Sequence, residues 1–444
     1  MHSFHYMFSR FIERLCSKIT LKATPVSPSD FPHLDWRLAE SGAGGSSVVQ
    51  EDRGTQLGFY DLQIPCATTN ARHDRKLSLV LDLDQTLVHA VKLSDIFSDP
   101  TMPTPKDLLT TDNPNHVQSV TERIEFKGAG GSEAEPRQLL ATRLDGEMYL
   151  IKLRPGLREF LKDLAIKYEL HIYTKANRNY LNFLLYELDP VGKLFTSAVA
   201  RDDSPDLDTD LKILNRVCCR NMAEVVVFDD RVDVWNETPG NVVQAQPYNF
   251  LSQRRPAIIK AMNELEEPQQ STTSVFDYDS HLYAIKNVLL KIFDEYIKAE
   301  EKVAAPHIIA KAKKEVLKGQ RLQFSGFTDV QSHIKEAEEF GAICSTVEDS
   351  VDDGPSVLVA AKHTKKVYDV AKNPGKVRIV HWSWMDHVRS TWELPNVSVF
   401  DLQRFRVDAS GVYPPIDDWE VAYIAATAEP KGSDRSSKRR RDKE

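Results

Sequence analysis

Three short apolar runs, each followed directly by polar side chains, constrain the fold of this chain more than any other feature. LSLVL at 77–81 is followed by Asp82, ELHIY at 169–173 by Thr174, and EVVVF at 224–228 by Asp229 and Asp230. From 77 to about 250 such runs alternate with helical periodicity, which predicts βα units around a parallel sheet. Ligand sites in such sheets lie beyond the carboxyl ends of the strands. We therefore expect the polar ends of these three runs to meet.

The side chains at these three ends are suited to one kind of chemistry. Asp82 and Asp84 flank a single leucine and face the same way if the chain is still extended. Two carboxylates held close together are unfavourable unless a cation or a proton separates them. Carboxylates, a hydroxyl and a lysine suit Mg²⁺ and a phosphoryl group, and one carboxylate could be a nucleophile that forms an aspartyl phosphate. A single DxD motif is more often a solvated turn. That alternative is less favoured here, because all three strand ends carry side chains that suit the same chemistry.

Composition excludes several classes of protein. The chain has 444 residues, enough for two or three domains with sizeable cores. A net charge of −8 argues against a general nucleic-acid-binding surface, so we expect no direct nucleic-acid partner. No run approaches the roughly 18 apolar residues of a membrane span. The five cysteines lack CxxC spacing, which favours reduced thiols and gives no zinc signature.

Several motifs in order resemble those of one family. DLDQTLVH resembles the DxDxT signature of the haloacid dehalogenase superfamily, in the version found in FCP-type phosphatases. The segments KLRPGL, HIYTKANRNY, LDPVGKLF, ARDDSP and VVVFDDRVDVW continue the resemblance across roughly 78–251. It is closer to the RNA polymerase II C-terminal-domain phosphatases of the FCP family than to the small single-domain members. It implies an α/β, haloacid-dehalogenase-like catalytic domain at 58–263 with an insertion at about 92–148.

The resemblance implies a role for each matching position. Asp82 would be the nucleophile and a metal ligand, and Asp84 the general acid and base that offers its backbone carbonyl to the metal. Thr174 and Lys212 would bind the phosphate. The metal would be Mg²⁺.

The second pair of aspartates and two arginines complete the implied site. Asp230 would ligate Mg²⁺, and Asp229 would hold Lys212 or a metal-bound water. Arg154 and Arg231 match family arginines that support the site. The chain departs from the family pattern at Val232 and in TKANR, which leaves Lys175 close to the phosphate. Four further positions match the family but are expected to be structural: Tyr173, Asp189, Asp202 and His89.

The C-terminal half contains a second resemblance. Residues 264–280 are predicted to be a polar linker and about 281–303 a long amphipathic helix, so that 264–315 separates two domains. Residues 316–403 resemble a small α/β BRCT domain. Ser325, Gly326, Thr364 and Lys366 match the places that meet phosphate in phosphopeptide-binding BRCT domains. Many BRCT domains bind no phosphate, so a structural or protein-docking role is the open alternative.

The two ends of the chain carry possible targeting and docking signals. Residues 1–57 comprise an amphipathic basic helix, typical of a mitochondrial presequence or of a docking helix, and a linker. The tail at 404–444 ends in SSKRRRDKE, which could be a nuclear localisation signal or a solvated terminus. Residues 414–426 mix acidic and apolar side chains and could fold on a partner, which in this family is a general transcription factor.

These observations predict a Mg²⁺-dependent protein serine/threonine phosphatase with an aspartyl-phosphate intermediate. Its substrate would be the phosphorylated C-terminal domain of RNA polymerase II, and its location the nucleus. One alternative is a catalytically weak scaffold that binds phosphopeptides. The other is an FCP-like phosphatase with a non-polymerase substrate, such as the mitochondrial inner-membrane relatives, which need a membrane span and have no BRCT domain.

Overall fold

The computed structural model describes most of the chain between residues 76 and 402. The described residues are 76–102, 104, 106–128, 137–203, 210–217, 221–265, 272–299, 303–345, 356–372 and 377–402. The predictions made for residues 1–57 and for the tail beyond 403 lie outside them.

A five-stranded parallel sheet forms the centre of the first part of the chain. Its strand order is β7-β6-β1-β8-β9. The bounds are β1 (Leu77–Leu81), β6 (Tyr168–Tyr173), β7 (Phe195–Val199), β8 (Val225–Asp229) and β9 (Val242–Gln244). Every residue of β1 and β8 is buried, as expected for strands of a parallel sheet covered on both faces. The three apolar runs of the sequence are neighbouring parallel strands, so this prediction is confirmed.

Three helices pack on this sheet. They are α4 (Leu157–Ala165), α5 (Arg178–Leu188) and the long α8 (His281–Lys298). Leu157 and Phe160 of α4 share one core with Leu282 and Ile285 of α8. The predicted amphipathic helix is therefore present, and it ends a few residues earlier than the periodicity indicated.

The segment predicted as an insertion or long loop is largely ordered. It contains the last residue of β2 (Val88–Lys92), α1 (Leu93–Ile96), α2 (Lys106–Thr110), α3 (Pro114–Thr121), β3 (Ile124–Lys127), β4 (Leu139–Leu144) and the start of β5 (Glu147–Leu153). Strands β2, β5 and β4 form an antiparallel sheet. A second apolar core lies among these elements and the helices α6 (Phe250–Gln253) and α7 (Arg255–Glu264).

The prediction of a polar linker at 264–280 is wrong for the part of it that the structure describes. Thr273–Phe276 forms β10, which pairs in parallel with β3. Asp277 follows this strand and is buried against Lys152, 2.8 Å away. A polar segment can form a strand when its backbone pairs with a neighbour and its charges are matched, and composition does not reveal either condition.

The C-terminal part contains a second, smaller parallel sheet with the order β12-β11-β13-β14. The strands are β11 (Arg321–Ser325), β12 (Ile343–Cys344), β13 (Val357–Ala360) and β14 (Arg378–His381). The helices are α9 (Ala305–Val316), α10 (Val330–Glu339), α11 (Lys365–Lys372) and α12 (Ser383–Thr391), and Trp384 of α12 is buried in the core. From residue 321 onward the elements follow in the order β11, α10, β12, β13, α11, β14, α12. Across the described ranges, we find no helix that combines the length and apolar character of a membrane span.

Gly341 sits where α10 leads into β12, and the geometry there admits no side chain. Its φ is +94°, and a Cβ atom would lie 1.8 Å from the backbone oxygen of Lys314. Gly319 also has a positive φ, of +81°, but a Cβ there meets nothing within 4 Å. The two positions separate the cost of the backbone conformation from the cost of a steric clash.

We expect Gly319→Ala to lower the free energy of unfolding by about 1–2 kcal/mol, the cost of a left-handed alanine. Gly341→Ala should cost about 1–3 kcal/mol more, because α9 must also shift. Denaturant unfolding followed by tryptophan fluorescence would measure both values. Equal losses for the two variants would show that the contact with Lys314 has no energetic weight.

Candidate active site

The centre of the site is a lysine held between two carboxylates. Lys212 Nζ lies 2.6 Å from Asp82 Oδ1 and 2.7 Å from Asp229 Oδ2, and all three side chains are buried. The backbone N–H of Lys212 donates to the carbonyl of Val234 at 2.8 Å, which fixes the lysine beside the loop that follows β8. The ends of β1 and β8 thus meet at one ammonium group.

Both carboxylate oxygens of Asp229 accept hydrogen bonds. Besides Lys212, its Oδ2 accepts from Trp235 Nε1 at 2.9 Å, and its Oδ1 accepts from the backbone N–H of Arg231 at 2.8 Å. These bonds fix both carboxylate oxygens. Of the two contacts that the resemblance implied for Asp229, the structure shows the one with Lys212.

The loop after β1 presents Asp84 and Thr86 to the same region. The backbone N–H of Asp82 still continues the sheet by donating to Phe228 at 3.0 Å, and Gln85 then turns the chain with a φ of 61°. Thr86 Oγ1 accepts from the backbone N–H of Asp230 at 3.0 Å and lies 3.2 Å from Asp230 Oδ1. Asp84 Oδ1 accepts from the Tyr180 hydroxyl at 2.5 Å.

Asp82, Asp229 and Asp230 form a group that could hold a metal ion. One carboxylate oxygen from each lies within 4.8 Å of the others. Such hard oxygen donors fit a hard divalent cation. The side chain of Asp84 is not part of this group, and the resemblance implied its backbone carbonyl as the ligand.

The electrostatics of the site favour an added cation. Burial, reinforced by Asp229 and opposed by Lys212, raises the pKa of Asp82 to about 8. Burial also raises the pKa of Asp84 and that of Asp230. For Lys212, burial acts to lower the pKa, but Asp82 and Asp229 outweigh it and the pKa rises. One ammonium therefore faces four carboxylates, and a divalent cation would relieve the imbalance.

The end of β6 supplies a hydroxyl and a second ammonium group. The Thr174 backbone N–H donates to Val199 at 3.0 Å, and its Oγ1 accepts from the Ala176 N–H at 3.0 Å, so its hydroxyl hydrogen can still be donated. The pKa of Lys175 is lowered by burial and by the charge of Lys212. Lys175 is thus near enough to Lys212 to feel its charge.

The two predicted arginines lie at the edges of the site. Arg231 is half-exposed and pairs with Asp233 at 2.6 Å, so its backbone rather than its side chain meets Asp229. Arg154 is completely buried beneath the loop after β1, where its guanidinium donates to the carbonyl of Thr86 at 2.9 Å. Neither guanidinium contacts the carboxylates of the metal-binding group through a bond that the structure records.

Four positions expected to be structural have structural contacts. Asp189 accepts backbone N–H bonds from residues 193–195, and Asp202 accepts one from Arg178. His89 accepts from the N–H of Leu251, and burial lowers its pKa to about 4, so it is a neutral, packed imidazole. Tyr173 packs edge-on against Trp235.

The sequence did not single out Thr86, Tyr180 or Trp235, although each contacts a carboxylate of the site. Thr86 is the last residue of the DxDxT motif, so a signal for it existed. Trp235 lies in DDRVDVW, a motif that resembles the family, but the resemblance implied no role for the tryptophan. Tyr180 reaches Asp84 from α5, a contact that depends on how the helix packs.

Part of the chain is similar to a known protein family. Residues 77–275 match the family model for NLI interacting factor-like phosphatases. The matched residues include the five-stranded sheet and every residue of the site described above.

Two relatives and one solved structure illustrate the similarity. The chain is 29% identical over 303 residues to the RNA polymerase II C-terminal domain phosphatase of Saccharomyces cerevisiae, covering 62% of this chain and 40% of that protein. It is 28% identical over 359 residues to the Caenorhabditis elegans phosphatase of the same name, covering 76% and 46%. The solved structure of a variant of the fission yeast RNA polymerase II CTD phosphatase Fcp1, bound to beryllium fluoride, is 27% identical, with a TM-score of 0.51 and coverage of 74% and 96%. The chain thus spans less than half the length of these two curated relatives.

We expect Lys212→Met to destabilise the domain that contains the five-stranded sheet by about 3–5 kcal/mol, because buried carboxylates lose the cation between them. Added Mg²⁺ should recover part of this loss by taking its place. Thermal unfolding with and without Mg²⁺ would measure both effects. Lys167→Met is the matched control, because Lys167 pairs with Asp294 at the surface and should cost no more than about 1 kcal/mol. Equal destabilisation of the two variants would contradict the central role of Lys212.

Proposed function

We propose that this protein is a Mg²⁺-dependent serine/threonine phosphatase that acts through an aspartyl-phosphate intermediate on the phosphorylated C-terminal domain of RNA polymerase II. The observation that carries the proposal is the placement of Lys212 between Asp82 and Asp229, with Asp230 completing a group of carboxylates. A nucleophile, a phosphate-binding ammonium and a metal-binding group are then in one place.

In the first step, Asp82 attacks the phosphorus atom of a phosphoserine or phosphothreonine. A bond from the carboxylate oxygen to phosphorus forms as the bond to the side-chain oxygen of the substrate breaks. Asp84 gives its proton to that leaving oxygen. The raised pKa of buried Asp84 favours the protonated form, and the bond from Tyr180 to Oδ1 leaves Oδ2 to carry the proton.

In the second step, Asp84 takes a proton from water and the water oxygen bonds to phosphorus. The bond between phosphorus and Asp82 breaks, and inorganic phosphate is released. Thr174 and Lys212 hold the phosphate oxygens through both steps, since the Thr174 hydroxyl hydrogen and one ammonium hydrogen of Lys212 remain available.

Asp82 and Asp230 would hold the Mg²⁺ ion, with the backbone carbonyl of Asp84. When bound, the ion supplies positive charge that favours ionised Asp82 and neutralises the phosphate oxygens. Asp229 instead keeps Lys212 in place through the 2.7 Å ion pair.

The names of the similar proteins support the choice of substrate. The yeast and nematode relatives are RNA polymerase II C-terminal domain phosphatases. With a substrate of this kind, the protein would act in the nucleus. A transcription factor bound by the tail remains part of the proposal, and the tail lies outside the described residues.

We further propose that the C-terminal α/β unit is a BRCT domain that binds phosphate. Ser325 Oγ and Thr364 Oγ1 lie 2.8 Å apart, so two residues 39 positions apart in sequence share one small polar site. A Cβ on Gly326 would lie 2.6 Å from the backbone nitrogen of Lys362, which packs the turn tightly against the opposite loop. Burial lowers the pKa of Lys366, and among the described residues no carboxylate forms an ion pair with it.

Asp82→Asn should abolish turnover of a small aryl phosphate, because an amide does not form an acyl phosphate. Beryllium fluoride with Mg²⁺ should inhibit the wild type by mimicking the phosphorylated carboxylate. Steady-state kinetics of both proteins on p-nitrophenyl phosphate would measure these effects. Asp189→Asn is the control, since that carboxylate caps a turn and should affect stability more than turnover. Ready turnover of p-nitrophenyl phosphate by Asp82→Asn would contradict the mechanism.

Lys366→Ala should raise KM for a multiply phosphorylated polymerase-tail peptide and leave the hydrolysis of p-nitrophenyl phosphate unchanged. The reason is that a phosphate held by the BRCT domain tethers the peptide near the catalytic site. Kinetic curves on both substrates give the comparison. Lys365→Ala, which removes an exposed lysine from the same helix, is the control. If Lys366→Ala and this control have the same KM for the peptide, the domain does not bind phosphate through Lys366.

A further inference from the structure

The segment before α8 reaches the active-site loop through a buried arginine. The Arg154 guanidinium donates from Nε and one terminal nitrogen to the two oxygens of Asp279, at 2.8 and 2.9 Å. Its other terminal nitrogen donates to the carbonyls of Thr86, at 2.9 Å, and Gln246, at 2.8 Å. The Arg154 side chain has no exposed surface, and that of Asp279 is 11% exposed.

Thr86 joins this arrangement to the metal-binding group. Its carbonyl accepts from Arg154, and its hydroxyl is bonded to the backbone N–H and the carboxylate of Asp230. The backbone N–H of Arg154 also donates to the carbonyl of Leu87 at 3.0 Å. One guanidinium therefore holds the short loop that carries Asp84 and Thr86.

We infer that Asp279 is a positioning residue for the metal-binding carboxylate of Asp230, acting through Arg154 and Thr86. The inference rests on the proposed function, because it concerns the metal of that same site. Asp279 lies outside residues 77–275, which match the family model.

The charge of Asp279 explains why the guanidinium stays in place. A buried arginine without a counter-charge is costly, and removing one partner of a buried pair leaves the other uncompensated. Burial acts to raise the pKa of Asp279, but Arg154 outweighs it and the pKa lies below its ordinary value, so Asp279 is ionised. Without this carboxylate, Arg154 would turn towards water and release the carbonyl of Thr86.

The ion pairs made by Lys286 join α8 to α4 at a place away from Asp279. Lys286 on α8 bonds to Glu159 and Asp163 of α4, each at 2.7 Å, and has no recorded contact with the active-site loop. Lys286→Gln is therefore the matched control, because it breaks a tie between α8 and the domain without reaching Thr86.

The test is Mn²⁺ binding to the full chain, followed by electron paramagnetic resonance, with thermal unfolding measured alongside. Asp279→Asn should weaken Mn²⁺ binding by about 10–100-fold, the range for partners that orient a metal ligand. A higher Mg²⁺ concentration should restore much of the kcat of Asp279→Asn on p-nitrophenyl phosphate. Lys286→Gln should bind Mn²⁺ as the wild type does.

Two outcomes would overturn the inference. One is Mn²⁺ affinity in folded Asp279→Asn equal to that of Lys286→Gln. The other outcome concerns Asp279→Glu, which is used if Asp279→Asn does not fold. This variant keeps the charge but changes the length of the paired side chain. If it binds Mn²⁺ as tightly as the wild type does, Asp279 has no positioning role. Asp230→Asn distinguishes failure of this inference from failure of the proposed function. If the wild type binds Mn²⁺ no better than Asp230→Asn does, and also fails to hydrolyse p-nitrophenyl phosphate, the proposed function itself is contradicted.

Discussion

The candidate active site depends on the ion pairs that buried Lys212 forms with Asp82 and Asp229. Asp82 and Asp229 end two adjacent strands of one parallel sheet, so the fold forces their carboxylates together. Lys212 lies within 2.7 Å of both and offsets a repulsion that the buried setting would otherwise enlarge. The carboxylate of Asp230 then completes a group of oxygen donors that suits a divalent cation.

The rest of the site is a set of supports for this cluster. Trp235 and the backbone of Arg231 fix Asp229, Thr86 fixes Asp230, and Tyr180 contacts Asp84. These supports come from different elements, a loop after β1, the helix α5 and the turn after β8. Arg154 supports Thr86 and also pairs with Asp279, which lies in the segment before α8. A segment about 200 positions further along the chain therefore helps to hold the loop that follows Asp82.

The sequence predicted the parts of the fold that depend on local pattern. Apolar runs ending in polar residues identified β1, β6 and β8 and their common edge, and helical periodicity identified α8. It did not predict β10 or the ion pairs of Asp277 and Asp279, because a polar segment reads as a linker until its partners Lys152 and Arg154 are brought close by the fold. The contact between Tyr180 and Asp84 has the same origin, since helix packing rather than spacing determines it.

The central claim is that Asp82 is phosphorylated during turnover, and chemical trapping tests it most directly. Protein quenched in acid during turnover and reduced with borohydride would convert an aspartyl phosphate to homoserine, which peptide mass spectrometry locates. The account predicts homoserine at position 82, in the wild type with substrate and Mg²⁺, and none without substrate. Full turnover with homoserine absent from position 82, or present at another aspartate instead, would contradict it.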